Sequence, residues 1–562
     1  MTGSTASTWE RVADGLVAHG VDTVFGLPGD DMTILAALDG RGIRVLLVRD
    51  QRHAVYQAIG YGRVSGRPSV CFVGKGPALT HAATGLLEAR SLRHPLLLIS
   101  SGVPVDKLGT GAFQELDPLE TMGALTVGAI RVEGHSVSEG VDDALRLSRR
   151  GRGPVLLEVP EGLHASDEVR APRRSPRDVR VRRDVPLPTT LRAARRPLVL
   201  VGGGCGEGET AEYFLQLVER LGAAVMVTAS GRGLVDEGHP AFLGVSGLYA
   251  PAGAAGILRE VDVILALGTR LEETATFGWD TALRPDHRIV QVLDDERDFT
   301  HARVTERVVA DVGDAVRSWG SALPERAVGD AWADTVAGVH RALIEAGERA
   351  PALVPASVPR VRDVLRELDA VLPTARISVH ENGLHDIWSY VFPAWIVHRD
   401  AACLVPSEQT PLGFGMAAAR GVAAADPRPV VVIGGDGAFG AVGADLSGLA
   451  AVSTPLLVVV LNDGGFGWLE VNRRQAGAPF GFLGSRTVVR GLCAAYGLDH
   501  VGCEDAATLG DAVRRAWAIA RGGRAVVLDV ATRLDDVPPG FEDLAGDFPL
   551  VVSTAPTKEG VR

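Results

Sequence analysis

The sequence predicts an α/β protein built from three doubly wound parallel-sheet domains. Three observations carry this. Short apolar runs of strand length alternate with stretches of helical apolar spacing along almost the whole chain, the pattern of a parallel sheet with crossover helices. The runs end in turns rich in Gly, Pro and Asp, such as Gly26-Leu27-Pro28-Gly29-Asp30-Asp31 and Gly434-Gly435-Asp436-Gly437. The chain has 562 residues, more than one core supports, and weakly patterned stretches at 166–196 and 323–357 divide it into blocks at 1–170, 190–322 and 358–545.

The first block opens with helical spacing over residues 6–19, where Trp9, Val12, Leu16 and Val17 share a face. Ser4 or Thr5 is the expected cap and Gly20 the expected end. Strands follow at 21–25, 43–48, 69–73, 95–100 and 155–159, with helices at 49–62 and 80–90. The Arg-, Pro- and Asp-rich stretch at 166–196 reads as a solvated linker. The second block places strands at 198–201, 224–228, 261–267 and 288–292. Its glycine cluster, Gly202 to Gly206, is only a weak phosphate-loop signal, because it lacks the full G-x-G-x-x-G spacing. An amphipathic stretch and then Pro351 and Pro355 form the second linker. The third block starts with a helix at 361–371, has strands at 375–379, 430–433 and 455–461, and closes with one at 525–530. The tail after Ser553 is expected to be loose.

Bulk properties narrow the function classes. The net charge of −12 excludes a general nucleic-acid footprint. The five cysteines are scattered without CxxC spacing, as expected of buried free thiols in a reducing compartment. No basic-then-apolar leader and no apolar run of membrane-spanning length stand out. The expectation is a cytoplasmic protein with neither membrane nor nucleic-acid partners.

The sharpest chemical signal runs from Val430 to Trp468. One apolar strand enters Gly434-Gly435-Asp436-Gly437, and a second ends at Asn462-Asp463-Gly464-Gly465. In a strand–helix–strand unit both turns fall at the same carboxyl edge, where open α/β sheets bind ligands. Two carboxylates there suit a hard cation such as Mg2+ bridging to phosphate. The glycines admit close backbone approach. Two ordinary strand-to-helix turns are the plain alternative.

This pairing resembles the diphosphate motif of thiamine diphosphate (ThDP)-dependent enzymes. The whole plan is similar to the acetohydroxyacid synthase and pyruvate decarboxylase superfamily. Supporting stretches are F-G-L-P-G-D at 25–30, G-Y-G-R at 60–63, A-F-Q-E-L-D at 112–117 and P-V-L-L-E-V-P at 154–160. Others are L-G-T-R-L at 267–271 and L-G-F-G-M-A-A-A at 412–419. The resemblance implies a pyrimidine-binding first block, a central block and a diphosphate-binding third block. It also implies a cofactor held between the first block of one subunit and the third of another, hence a homodimer or homotetramer. The implied activity is a carboligase or decarboxylase, with carboligation preferred, acting on a small 2-oxo acid and possibly a second acceptor.

The resemblance assigns residues as well. Asp436, Asp463 and the Gly465 carbonyl would hold Mg2+, with Asp463 standing where the family usually has Asn. Gly435 and Gly437 would let the backbone approach the diphosphate, with the Ala438 and Phe439 N–H groups and His385 against the phosphates. Leu412 would wedge beneath the bent cofactor, and the Thr410 carbonyl would accept from its pyrimidine amino group. Phe466, Trp468 and Leu469 would line the substrate side. Core packing is the alternative for Leu412 and for Phe466, Trp468 and Leu469, and a surface or capping role for His385.

Gln51 is the main departure. It stands where the family has a Glu that hydrogen-bonds pyrimidine N1′, and an amide donates a hydrogen bond but transfers no proton. A one-residue slip would present Asp50 instead. Asp30 reads either as an aid to proton transfer or as a helix cap. Lys75 reads as a ligand for a substrate carboxylate, as a partner of Asp30 or Asp31, or as a solvated turn lysine. Gln114 lies in a synthase-like Phe-Gln-Glu stretch, and the paired His residues of the decarboxylases are absent. FAD in the central block is possible but not favoured. A catalytically silent ThDP-binding paralogue is the alternative to an enzyme.

Overall fold

The computed structural model describes the chain apart from residues 1–6, 133–136, 164–182, 206–209, 252, 325–329, 350–353, 407–408, 478, 480–485 and 539–562. The tail beyond 553 and most of the first linker therefore lie outside the described residues. The first helix, α1 (Thr8–Ala18), starts later than Ser4 or Thr5 would allow. Ser7 caps it instead: its Oγ accepts from Glu10 N while Glu10 Oε2 accepts from Ser7 N, a reciprocal box that satisfies two end N–H groups.

The first sheet holds β1 (Thr23–Leu27), β2 (Arg44–Leu47), β3 (Ser69–Val73), β4 (Leu96–Gly102), β5 (Gly128–Arg131) and β6 (Pro154–Pro160), in the order β2-β1-β3-β4-β6-β5. The second holds β7 (Pro197–Val201), β8 (Ala224–Val227), β9 (Phe242–Val245), β10 (Val263–Leu267), β11 (Arg288–Leu293) and β12 (Glu306–Val309), in the order β12-β11-β10-β7-β8-β9. The third holds β13 (Ile377–His380), β14 (Ala402–Leu404), β15 (Val430–Gly435), β16 (Leu456–Asn462), β17 (Asp499–Cys503) and β18 (Val526–Ala531), in the order β14-β13-β15-β16-β18-β17. All three sheets are parallel throughout, as the alternation predicts. The short edge strands β5, β9, β12, β14 and β17 are absent from the sequence expectation: β5 and β12 are half-exposed and carry Arg or Glu, whereas β9 and the three-residue β14 are apolar runs that it passed over.

The first and third sheets share one strand order, so their crossover reverses at equivalent places: between β1 and β3, and between β13 and β15. Ligand crevices of open α/β sheets form outside the carboxyl ends of such strand pairs. Gly29 and Gly74 close up the first crevice: a Cβ on Gly29 would lie 3.3 Å from Gly74 Cα.

The first and third domains share one apolar core, into which Ala54 to Ile59 and Phe414 to Ala419 are both packed. Two helices make the junction: α3 (Gln51–Ser65) and the helix Phe414–Ala425. They touch at backbone distance. A Cβ on Gly421 would fall 1.9 Å from Gln57 O, and one on Gly60 would fall 2.6 Å from Ala418 O. Tyr56 and Phe414 add an edge-to-face ring contact at 5.3 Å. All five cysteines are free; four are buried and Cys403 is half-buried.

Candidate active site

At the third sheet the structure brings the predicted residues together. β15 ends at Gly435, and Asp436 opens the short helix Asp436–Ala441, whose first N–H groups no side chain caps. β16 ends at Asn462, and Asp463 follows in a turn made possible by the left-handed Gly464 at φ +79°. β13 delivers Glu381, and His385 stands on the helix Leu384–Tyr390.

Asp436 and Asp463 are both buried. Asp436 Oδ2 accepts from Thr487 N at 3.1 Å, while its Oδ1 has no hydrogen-bond partner among the described residues. Asp463 Oδ1 accepts from Gly465 N at 2.9 Å, so this residue also makes the turn. Its Oδ2 meets His385 Nε2 at 3.1 Å as an ion-pair contact without an aligned hydrogen bond. Burial pushes the Asp436 carboxyl above its ordinary range, and the neighbouring Asp463 charge adds to this. Burial opposes a charge on His385, but Asp463, Asp436 and Asp536 outweigh it and hold its pKa above the usual value. His385 is therefore neither a surface nor a capping residue.

The glycines leave little spare room. A Cβ on Gly435 would lie 3.2 Å from the His385 ring, and one on Gly437 would lie 2.9 Å from the Phe466 ring. Ala438 and Phe439 are buried, with Phe439 wholly in the shared core. Trp468 packs against a small apolar cluster with Leu384 and Ile387, whereas Leu469 is exposed. Among the described residues no group of three or more His, Cys, Asp and Glu side chains has the geometry to hold a metal ion. A cation here would therefore draw its remaining ligands from the backbone, phosphate or water.

The loop before the helix Phe414–Ala425 is preset. Leu412 is 42% exposed, which rules out plain core packing. Thr410 takes a left-handed φ of +48°, and its carbonyl accepts from Asn382 Nδ2 at 2.7 Å. The fully buried Glu381 carboxylate accepts from Gly413 N, Met416 N and Asn382 N, each at 3.0 Å. Burial raises the Glu381 carboxyl to about 7 against the pull of these N–H groups. Sequence reasoning passed over Glu381 and Asn382 and drew only His385 from the same stretch. A carboxylate directly after a buried strand and two residues before a glycine was the signal available.

A second cluster stands at the carboxyl edge of the first sheet. Asp30 follows β1, Gln51 follows β2, Lys75 follows β3 and Glu161 follows β6. Lys75 is ion-paired with Glu161 and lies 3.8 Å from the exposed Asp30. Glu161 was not foreseen. Asp31 does not pair with Lys75: it accepts from Trp9 Nε1 at 2.6 Å and from Thr33 N at 2.9 Å. That local turn falls to Asp31, so Asp30 is not the cap. Gln114, at φ +57°, lays its carbonyl over Gly76, where a Cβ would fall 2.6 Å away.

Gln51 opens α3, and its Oε1 meets Nδ1 of His81 at 3.2 Å; His81 is the fifth residue of α4 (Pro77–Ser91). Asp50 is not presented in its place. It is the N-cap of α3, and its carboxylate is held by Arg52. The turn is anchored from the third domain: Asp445 accepts from Arg49 N at 2.8 Å, Asp50 N at 3.2 Å and His53 Nδ1 at 2.5 Å.

Within one chain the two clusters are apart. Gln409, next to Thr410, binds the far end of α4, through Glu88 Oε2 at 2.9 Å and Ser91 Oγ at 3.1 Å. His81 lies seven to ten residues nearer the start of that helix, about 10–15 Å away at 1.5 Å per residue, and Gln51 beside it.

The central sheet's crevice is filled by its own glycines: a Cβ on Gly202 or Gly204 would come within 2.6 or 2.7 Å of Gly268 O. Gly206 lies outside the described residues. Beside it, a cavity of about 450 Å3 separates the first and central domains, lined in part by Arg63, Arg67, Arg93, Arg149 and Arg152. Arg93 pairs there with Asp295 and Asp298, and Arg152 with Asp294, so ion pairs tie the domains together.

Comparison with known proteins agrees with this layout. Models of the three domains of thiamine pyrophosphate enzymes match in order: the N-terminal TPP binding domain over residues 7–121, the central domain over 188–318 and the C-terminal TPP binding domain over 381–530. The acetolactate synthase large subunit of Parasynechococcus marenigrum is 27% identical over 569 residues, 95% of this chain and 90% of that protein. The acetolactate synthase isozyme 2 large subunit of Escherichia coli is 28% identical over 466 residues, 80% and 82% of the two chains. A Pseudomonas aeruginosa protein described as the probable 2-ketoarginine decarboxylase AruI is 31% identical over 476 residues, 81% of this chain and 82% of that one. Domain order, coverage and identity together show that the chain belongs to the thiamine pyrophosphate enzyme family.

Proposed function

We propose that this chain is a ThDP- and Mg2+-dependent enzyme that breaks or forms a carbon–carbon bond at the keto carbon of a 2-oxo acid, with carboligation preferred. The observation that carries the reading is the buried pair Asp436 and Asp463, each with one oxygen lacking a hydrogen bond at the crevice of the third sheet. A hard cation satisfies such oxygens. Asp436, Asp463 and the Gly465 carbonyl are the ligands we assign to Mg2+. Bound ThDP supplies the electron sink for the pair left when a 2-oxo acid loses its carboxylate.

The chain's own residues then bind, orient and screen. His385, its charge favoured by three carboxylates, faces the phosphates. Glu381 and Asn382 fix the loop that exposes Leu412, which would support the bound cofactor, and that holds the Thr410 carbonyl in place. Phe466 covers Gly437 on the substrate side. Gln51 would hydrogen-bond the pyrimidine ring, and Lys75, Asp30, Glu161 and Gln114 would form the polar wall that receives the 2-oxo acid. Gln51 contacts α4 near its start and Gln409, three residues before Leu412, contacts it near its end, which supports a site that takes the two from different copies, in a homodimer or homotetramer.

The preference for carboligation rests on the Phe-Gln-Glu stretch around Gln114, the lack of a decarboxylase His pair and the acetolactate synthase relatives. Calorimetric titration of ThDP in the presence of Mg2+ tests the reading: binding is expected, and its absence would sink it. Product analysis with pyruvate, alone and with a second 2-oxo acid, separates ligation from decarboxylation. Gln51 favours one second reading, a silent ThDP-binding paralogue. Deuterium exchange at cofactor C2 decides between them: exchange on the turnover timescale rejects the silent paralogue, and Gln51→Glu is expected to accelerate it.

A further inference from the structure

Gln51 and His81 meet at the carboxyl edge of the first sheet, between two fixed helix starts. α3 is held at its N-terminus by Asp445, through Arg49 N and Asp50 N. α4 follows Gly76, whose φ of +56° sets the turn, and begins at Pro77. The 3.2 Å contact between Gln51 Oε1 and His81 Nδ1 therefore joins two rigid elements rather than two loose loops.

A carboxamide has an acceptor at one end and donors at the other. When its carbonyl end is taken by an imidazole N–H, the NH2 end is left to face a ligand. That end suits a ring nitrogen carrying a lone pair. A protonated ring nitrogen needs the carbonyl instead, so the amide must turn over. His81 Nδ1 must then accept from the amide NH2, with the ring proton on Nε2. By changing tautomer, imidazole offers a donor or an acceptor at one position, which an apolar side chain there would not.

We propose that His81 is a positioning residue that sets which end of Gln51 faces the pyrimidine N1′ of ThDP, so that the amide follows that nitrogen between its neutral and protonated forms. The proposal rests on the reading of Gln51 as the N1′ partner. His81 is exposed within the chain and touches Gln51 rather than any reacting atom, so its effect is on orientation.

The test is calorimetry on the full-length protein with saturating Mg2+, using two probes: ThDP and its analogue with N1′ replaced by CH. One net hydrogen bond predicts that the natural sequence binds ThDP about tenfold more tightly than the analogue. Gln51→Ala is expected to abolish that ratio, and His81→Phe to cut it to about twofold. His81→Asn, which keeps a donor near the Nδ1 position, should retain most of it. Adding His81→Phe to Gln51→Ala should change nothing further. Thermal melting confirms that each variant is folded. A full ratio in His81→Phe alongside a flat one in Gln51→Ala overturns the role of His81 and leaves the Gln51 reading standing. A ratio that Gln51→Ala does not alter overturns both, and no ThDP binding by the natural sequence overturns the functional reading itself.

Discussion

Asp463 is the residue whose side chain does the most with the fewest atoms. One oxygen closes its own turn and the other faces His385 and the crevice. Its carboxylate lies beside Asp436 and adds to the burial that already discourages a charge on that residue. Asp463→Asn, which restores the family's usual residue, is expected to weaken Mg2+ binding by roughly tenfold. At saturating Mg2+ the same variant should bind the diphosphate more tightly, because one negative charge is gone. Metal titration followed by cofactor titration checks both, and unchanged Mg2+ affinity would remove Asp463 from the site. Sequence spacing found this pair because it follows from strand–helix–strand connectivity. It did not find Glu161, Asp445 or His81, since each acts on a residue distant in sequence.

Helices carry the next level of organisation. The crossing of α3 with the helix Phe414–Ala425 depends on Gly421, where any side chain meets the Gln57 carbonyl. Gly421→Val is expected to destabilise the protein by about 3 kcal/mol through overpacking against backbone, as urea unfolding would measure. Glu381 governs the start of the second helix and adds a pH dependence. Its carboxyl is raised from 4.5 to about 7 by burial, so the folded protein retains a proton that the unfolded chain releases. The stability this group contributes is complete below pH 4.5 and is lost as the pH climbs towards about 7. The change is on the order of 3 kcal/mol. Denaturant midpoints measured across this window should fall less steeply for Glu381→Gln than for the natural sequence; parallel slopes would show that Glu381 does not titrate there. Element positions were well marked in the sequence where strands are buried on both faces, as β15 and β16 are. They were missed at the half-exposed edges β5 and β12, whose apolar runs are cut by Arg131 and by Glu306 and Arg307, and at β14, whose three residues are too few to show a period.

At the scale of the molecule, two open sheets of the same strand order each present a crevice, and a single chain brings their functional clusters to α4 at points seven to ten residues apart. If the working site joins clusters from two copies, subunit mixing should reveal it. An Asp436→Ala chain and a Gln51→Trp chain, each defective alone, should on random re-pairing regain ThDP binding at about a quarter of the sites. No recovery by calorimetry, with mixed dimers verified by mass, would place both clusters in one subunit's own site. The sequence alone determined the α/β class, the three-block order and the Asp436–Asp463 pairing, because these depend on apolar periodicity and local turn chemistry. Only the tertiary structure decided that Lys75 belongs to Glu161, that Asp50 is a helix cap, that Gln51 meets His81 and that Leu412 faces solvent. The physical reason is that each outcome is set by which helix ends and strand edges pack together, and periodicity within a segment carries no record of its distant neighbours.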